Sequence, residues 1–177
     1  MIKIVKQIIS FYLENNTYPT VNDLTIDNID LLNKKEPLFV TLYKWGEVRG
    51  SAGSINSIKQ NIIEELIDVT IHALSKDNRF NKLEKSEIND LNIRIDLIES
   101  REIIENIDSF NSLKFLKDWV IVIKKDYDNM VILLPNISNK IDNQKDYIDV
   151  LSKKLWEGFI FDNYIVYKIN TKVVSDF

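Results

Sequence analysis

Residues 38–54 read LFVTLYKWGEVRGSAGS, and they hold three of the four glycines in a 177-residue chain, Gly46, Gly50 and Gly53. Such crowding asks for a backbone reason. Leu38 to Tyr43 alternate Leu, Val and Leu with Phe, Thr and Tyr, the two-residue period of a strand covered on both faces, and Lys44-Trp45-Gly46-Glu47 supplies a glycine-containing turn. A second strand is expected from about Val48. Gly50 and Gly53, within or just after it, point to a bulge or to a place where another backbone or a ligand comes close to the main chain. Arg49 sits immediately beside them.

Working outward, residues 2–13 place Ile2, Val5, Ile9, Tyr12 and Leu13 at helical spacing, ending before Asn15-Asn16. Residues 15–37 read as loop with a short helical turn around Ile29 to Leu32. Ser57 is a candidate cap for a helix over 58–75, whose Ile58, Ile62, Ile63, Leu66, Ile67, Thr70, Ile71 and Leu74 form one broad apolar face. Its start follows the Gly/Ser-rich segment closely, so its free N–H groups are expected to point back toward that segment. Asp77 to Phe80 form the turn leaving it, with Phe80 anchored in the core, and a short helix capped near Asn81 or Ser86 follows. Leu91, Ile93, Ile95 and Leu97 alternate strictly with Asn92, Arg94, Asp96 and Ile98, the clearest half-buried strand in the chain. Residues 101–117 read as loop with a helix at Asn111 to Lys117. Trp119 to Lys125, the turn at Asp126 to Asn129, and Met130 to Leu134 form a second hairpin stopped by Pro135. A helix opened by Asp142 or Asn143 buries Tyr147, Ile148, Leu151 and Leu155, and residues 164–169 are the last strand. Hairpins, single strands and helices in mixed order indicate an α+β fold with one largely antiparallel or mixed sheet and flanking helices. The 38–52 and 119–134 hairpins and the 91–98 and 164–169 strands are expected to share that sheet. No linker or repeat divides the chain, so residues 1–177 are expected to form a single domain of one or two lobes.

Composition narrows the chemistry. The chain has no cysteine, which excludes disulfides, thiolate nucleophiles and cysteine-ligated metal centres. Net charge is −4, with acidic and basic residues interleaved, which argues against nucleic-acid binding. No stretch approaches the roughly 18–20 apolar residues needed to span a bilayer, and Met1 to Leu13 lacks a small-residue cleavage site. A soluble cytoplasmic protein without a membrane role is expected. Lysine outnumbers arginine 19 to 4, so each arginine marks a position where a planar five-donor fork matters and a plain positive charge does not suffice.

The stretch FVTLYK-x-GEVRGSAGS resembles the FVTL…G-x-LRGCIGS signature of the AMMECR-one domain family, also called system protein A of the AmmeMemoRadiSam group. The resemblance continues in Asp77-Asn78-Arg79-Phe80 (DPRF in the family), in Leu91 to Leu97 (L-x-I-x-V-S-V-L) and in Leu133-Leu134-Pro135 (F-LPQV), so it runs over most of the chain in order. It implies a pathway shared with a radical-SAM protein and a Memo-like protein as partners, and it implies no defined reaction and no cofactor. Arg49 and Arg79 both fall within family motifs. Ser51 stands where the family usually has cysteine.

Arg49-Gly50-Ser51-Ala52-Gly53-Ser54 combines a guanidinium, backbone able to turn N–H groups inward and two hydroxyls, which together suit a carboxylate or phosphate. The competing reading is that the glycines serve strand packing and Arg49 pairs with a nearby carboxylate. Arg79 either joins an anion site or pairs with Asp77. The candidate ligand-binding set is therefore Arg49, Gly50, Ser51, Gly53, Ser54 and Arg79. A serine in place of cysteine needs a neighbouring base to act as a nucleophile, and nothing in the sequence places the only histidine, His72, beside Ser51. Two functional classes result. One is a non-enzymatic accessory module that binds a small anion or a partner protein near Arg49. The other is a small enzyme acting on a carboxylated or phosphorylated substrate, centred on Arg49 and Ser51. The missing base favours the module. Acidic pairs such as Asp27/Asp30 and Asp126/Asp128 read as turn chemistry, with no metal implied.

Overall fold

The computed structural model describes residues 1–114, 118–125, 130–133 and 144–177. Its strands are β1 (Leu38–Lys44), β2 (Glu47–Gly53), β3 (Leu91–Ile104), β4 (Trp119–Lys124), β5 (Met130–Leu133) and β6 (Tyr164–Ser175). Its helices are α1 (Ile2–Asn15), α2 (Ile62–Ser75), α3 (Ile107–Asn111) and α4 (Gln144–Leu155). The strands form one antiparallel six-stranded sheet in the order β2-β1-β3-β6-β4-β5. The fold is α+β, and the four expected strand segments do share a sheet. The turn at Asp126 to Asn129, the stop at Pro135 and the helix opening at Asp142 or Asn143 lie outside the described residues.

The chain divides into two compact units. The first comprises Met1–Ile98 and Thr171–Phe177. There the alternation of β1 and β3 puts Leu38, Val40, Leu42, Ile93 and Ile95 on one buried face, against Ile63, Leu66 and Ile71 of α2 and Val5 and Ile8 of α1. The second comprises Glu99–Asn170. Its core is aromatic: Phe110 packs against Phe159 at a centroid distance of 5.1 Å and against Tyr147 at 6.4 Å, with Val120, Val122, Leu151 and Val166 around them.

Several boundaries differ from the expectation, each for a physical reason. α2 opens at Ile62, not at 58, and its cap is Asn61, whose Oδ1 accepts from the N–H groups of Ile63 and Glu64, both at 3.0 Å. The N–H groups of Ile58 and Lys59 are instead drawn to Oε2 of buried Glu65, at 3.1 and 3.0 Å, which holds that segment as a loop. β3 runs on to Ile104 through charged residues with no alternation. Asn170 of β6 supports this extension by donating from its side chain to Ser100 Oγ at 2.9 Å and Glu102 Oε1 at 3.2 Å. A short helix then forms at Ile107–Asn111, capped by Asn106, earlier than the expected 111–117. β6 likewise extends past 169 to Ser175.

The glycine cluster has two separate steric causes. A Cβ on Gly50 would lie 2.1 Å from the backbone oxygen of Ala73, so α2 lies on β2 with only a hydrogen between them. A Cβ on Gly53 would lie 2.1 Å from the Phe39 ring, which occupies that space. At the hairpin tip Trp45 and Gly46 both take positive φ, +53° and +83°, the mark of a type I′ turn. Trp45 is 79% exposed there, with Lys44 Nζ 4.7 Å from its ring centroid.

Because the atom facing Gly50 is backbone and cannot swing away, Gly50→Ala is expected to destabilise the protein by about 3 kcal/mol or more. Gly158→Ala, at a position with open space around it, should change stability by less than about 1 kcal/mol. Urea denaturation of both variants checks this, and equal midpoints would refute the packing account.

Candidate functional site

The β1–β2 register shifts between Leu42, which pairs with Gly50, and Tyr43, which pairs with Val48, leaving Arg49 as the extra residue of a bulge. The bulge aims Arg49 off the sheet edge. Its Nε and Nη2 donate to the two carboxylate oxygens of Glu87 at 2.9 and 2.8 Å, while Nη1 donates to the carbonyl of Asn81 at 2.9 Å and Nη2 also to that of Lys82 at 3.3 Å. Lys44 Nζ adds a second cation to Glu87 at 2.9 Å. Arg49's side chain is only 17% exposed. Its guanidinium is a strap tying the 81–87 connector to the edge strand. The hydrogen bond from Arg49 is the main reason that the Glu87 carboxyl is pulled down to about 2 from an ordinary 4.5.

Ser51 faces two ways. Its hydroxyl lies 3.0 Å from that of Thr41, its cross-strand neighbour. Its backbone N–H, which points away from β1 at the sheet edge, donates to Asp77 Oδ2 at 2.9 Å. Asp77 also grips Arg79: Nε donates to Oδ1 at 2.9 Å, Nη2 to Oδ2 at 2.6 Å and the Arg79 backbone N–H to Oδ1 at 3.2 Å. Burial pushes the Asp77 carboxyl up, yet the hydrogen bonds from Arg79 and from the Ser51 N–H outweigh it and leave the group below its usual range. Phe80, expected to anchor this turn in the core, is only half-buried, and its ring lies 5.3 Å from the guanidinium carbon of Arg79. Arg79 is thus fixed along one edge by a carboxylate and on one face by a ring. It stays 48% exposed, and its Nη1 has no acceptor among the described residues.

A cleft of about 370 Å³ opens here, lined by Ser51 and Ala52 of β2, His72 of α2 and Lys76, Asp77, Asn78 and Arg79 beyond that helix. The structure therefore brings Ser51 and Arg79 together. Arg49, Gly50, Gly53 and Ser54 do not line this cleft; Ser54 instead hydrogen-bonds the backbone of Asn56 with its hydroxyl and the carbonyl of Leu38 with its N–H. It is the C-terminal end of α2 that meets the Gly/Ser segment, not the N-terminal end, whose N–H groups Asn61 caps. Lys76 carries no signal in the sequence, and His72, which nothing in the sequence places beside Ser51, lines the same cleft once α2 is docked. His72 Nδ1 lies 2.8 Å from the carbonyl oxygen of Asp68, which requires a proton on Nδ1, and its Nε2 accepts from Lys76 Nζ at 3.2 Å. A larger groove of about 570 Å³ beside α1 contains Lys3 and Lys6, but these are paired with Asp27 at 2.9 Å and Asp176 at 2.6 Å.

No group of three or more metal-binding side chains occurs among the described residues, and no described helix is long and apolar enough to cross a membrane. What the geometry defines is an α+β domain with a small cationic cleft at the edge of its sheet. A sequence model described as AMMECR1 matches residues 2–163, and the chain belongs to that family. It is 34% identical over 73 residues to Protein CA_C1420 of Clostridium acetobutylicum, covering 41% of this chain and 16% of that protein. It is 28% identical over 105 residues to a protein of Methanothermobacter thermautotrophicus, covering 59% of this chain and 53% of that one. The match thus spans about half or less of the length of these curated relatives. The crystal structure of the uncharacterized protein PH0010 from Pyrococcus horikoshii superposes with a TM-score of 0.77 at 20% identity, over 98% of this chain and 88% of that one, and shows that the fold is shared.

The Glu87 pair makes a prediction about acid stability. A folded pKa below the unfolded one stabilises fully above the unfolded value of 4.5 and is lost as pH falls toward about 2. In urea titrations the stability gap between wild type and Glu87→Gln should therefore be largest near neutral pH and shrink steadily on acidification through that window. A gap that does not change with pH would refute the assignment.

Proposed function

We propose that the protein is a non-enzymatic accessory module that binds a small anion in the cleft formed by Ser51, Lys76 and Arg79. The observation that supports this is the contrast between two arginines. Arg49 and Arg79 each use Nε and Nη2 to clamp a carboxylate, Glu87 and Asp77. The remaining edge of Arg49 is closed by two backbone carbonyls, whereas Arg79 keeps its Nη1 for a ligand and lines the cleft. Lys76 brings a second charge, with no carboxylate within 4 Å among the described residues. Each charge-assisted hydrogen bond to a bound anion contributes about 1.5–3 kcal/mol. Cations beyond a helix C-terminus are common for dipole reasons alone. A guanidinium already oriented by a carboxylate and a ring is a costlier arrangement, and it favours recognition.

Nucleophilic catalysis by Ser51 receives less support. His72 lines the same cleft, but both of its ring nitrogens are engaged, by Asp68 and Lys76, and the Ser51 hydroxyl is paired with Thr41. In this reading Arg49 acts at one remove, by holding the edge strand that carries Ser51. The radical-SAM and Memo-like partners implied by the family resemblance belong to the same proposal, and co-purification with each is the direct check on them.

Arg79→Ala is expected to weaken anion binding at least about tenfold and to lower the melting temperature, because the nearly buried Asp77 carboxylate loses its partner, and Ser51→Ala to weaken binding only about twofold to fivefold. Arg49→Lys, which loses the fork across Glu87, should lower the melting temperature and impair function through the fold. Anion titrations, thermal melts and a complementation assay separate these outcomes. If Ser51→Ala abolishes complementation while melt and titration stay unchanged, Ser51 does chemistry and the enzyme reading replaces this one.

A further inference from the structure

The donors of the cleft are arranged for one kind of anion. We infer that the ligand is an organic carboxylate and not a phosphate, an inference that rests on the anion-binding reading above. Phosphate cradles are built from several convergent backbone N–H groups and enough cationic charge to meet a dianion. Here the two backbone N–H groups that converge on the site, those of Ser51 and Arg79, are already donated to Asp77. The charged side chains lining the cleft are Lys76 and Arg79 against Asp77, with the His72 ring set between the Asp68 carbonyl at 2.8 Å and Lys76 Nζ at 3.2 Å. The surplus is a single positive charge, which one carboxylate neutralises. Asp77 would repel the second charge of a phosphate monoester dianion.

Shape leads to the same ligand. With Nε and one Nη2 hydrogen committed to Asp77, Arg79 retains the flat Nη1–Nη2 edge, two roughly parallel donors that match the two coplanar oxygens of a carboxylate. Lys76 and Ser51 also line the cleft. The volume of about 370 Å³ is several times that of a bare carboxylate group. The ligand therefore has an organic body, with Ala52 among the surfaces it covers.

Benzoate and phenyl phosphate test this, because they share a body and differ only in headgroup. The ¹⁵N-labelled full chain is titrated with each at constant ionic strength near pH 7.5, where phenyl phosphate carries close to two charges, and the Arg79 Nε–H and Ser51 amide resonances are followed. Benzoate is expected to shift both saturably, with half-saturation about tenfold or more below that of phenyl phosphate, and Arg79→Lys should weaken benzoate about tenfold while Lys153→Arg leaves it unchanged. Half-saturation by phenyl phosphate at an equal or lower concentration would overturn the carboxylate inference and leave anion binding standing. Saturable shifts from neither compound at either resonance would overturn the anion-binding reading itself.

Discussion

The close approach of α2 to β2 at Gly50 is the constraint on which the rest of the first unit depends. With the Ala73 carbonyl 2.1 Å from where a Cβ would be, the last turn of the helix is pinned to the edge strand, and residues 76–80 must leave alongside Ser51. An edge strand presents unpaired backbone groups that invite pairing with another chain. Here Asp77 takes up the outward N–H of Ser51, and Arg49 ties the following connector across the same edge through Glu87. The devices that close the edge therefore also build the cleft.

This accounts for the two motif arginines in a chain that otherwise prefers lysine. Both sit in bidentate clamps that a point-like ammonium would not reproduce. They differ in what surrounds the other side of the guanidinium. For Arg49 the 81–82 backbone folds over it and supplies carbonyls. Arg79 lies on a tight turn stabilised by its own Asp77, and its Nη1 has no acceptor among the described residues. An enclosed guanidinium at Arg49 and a half-exposed one at Arg79 thus arise from the same bidentate chemistry. Ser51 enters this arrangement through its backbone N–H, taken by Asp77, and its hydroxyl, beside that of Thr41.

Much of the architecture was legible from local pattern. Strict alternation in β1 and the first half of β3, and the apolar face of α2, place those elements correctly because burial of one face is written directly into residue order. The glycine cluster pointed to a bulge or a close approach; the bulge falls at Arg49 and the close approach at Gly50. Where local pattern was weak, tertiary partners decided. The charged second half of β3 is a strand beside Asn170, and residues 58–60 are a loop because Glu65 takes up the N–H groups of Ile58 and Lys59 and Glu64 that of Gln60.

The sequence by itself determined that the chain is an α+β protein of the AMMECR1 family without thiol chemistry, and that its arginines are worth attention. Which arginine is enclosed and which stays open was decided only by the tertiary structure. The partners of Arg49 lie 32 to 38 residues away in sequence, and Asp77 lies 26 residues from Ser51. Donor and acceptor types can be read in a sequence, but whether they meet depends on the docking of α2 against the sheet edge, a property of packing across distant segments.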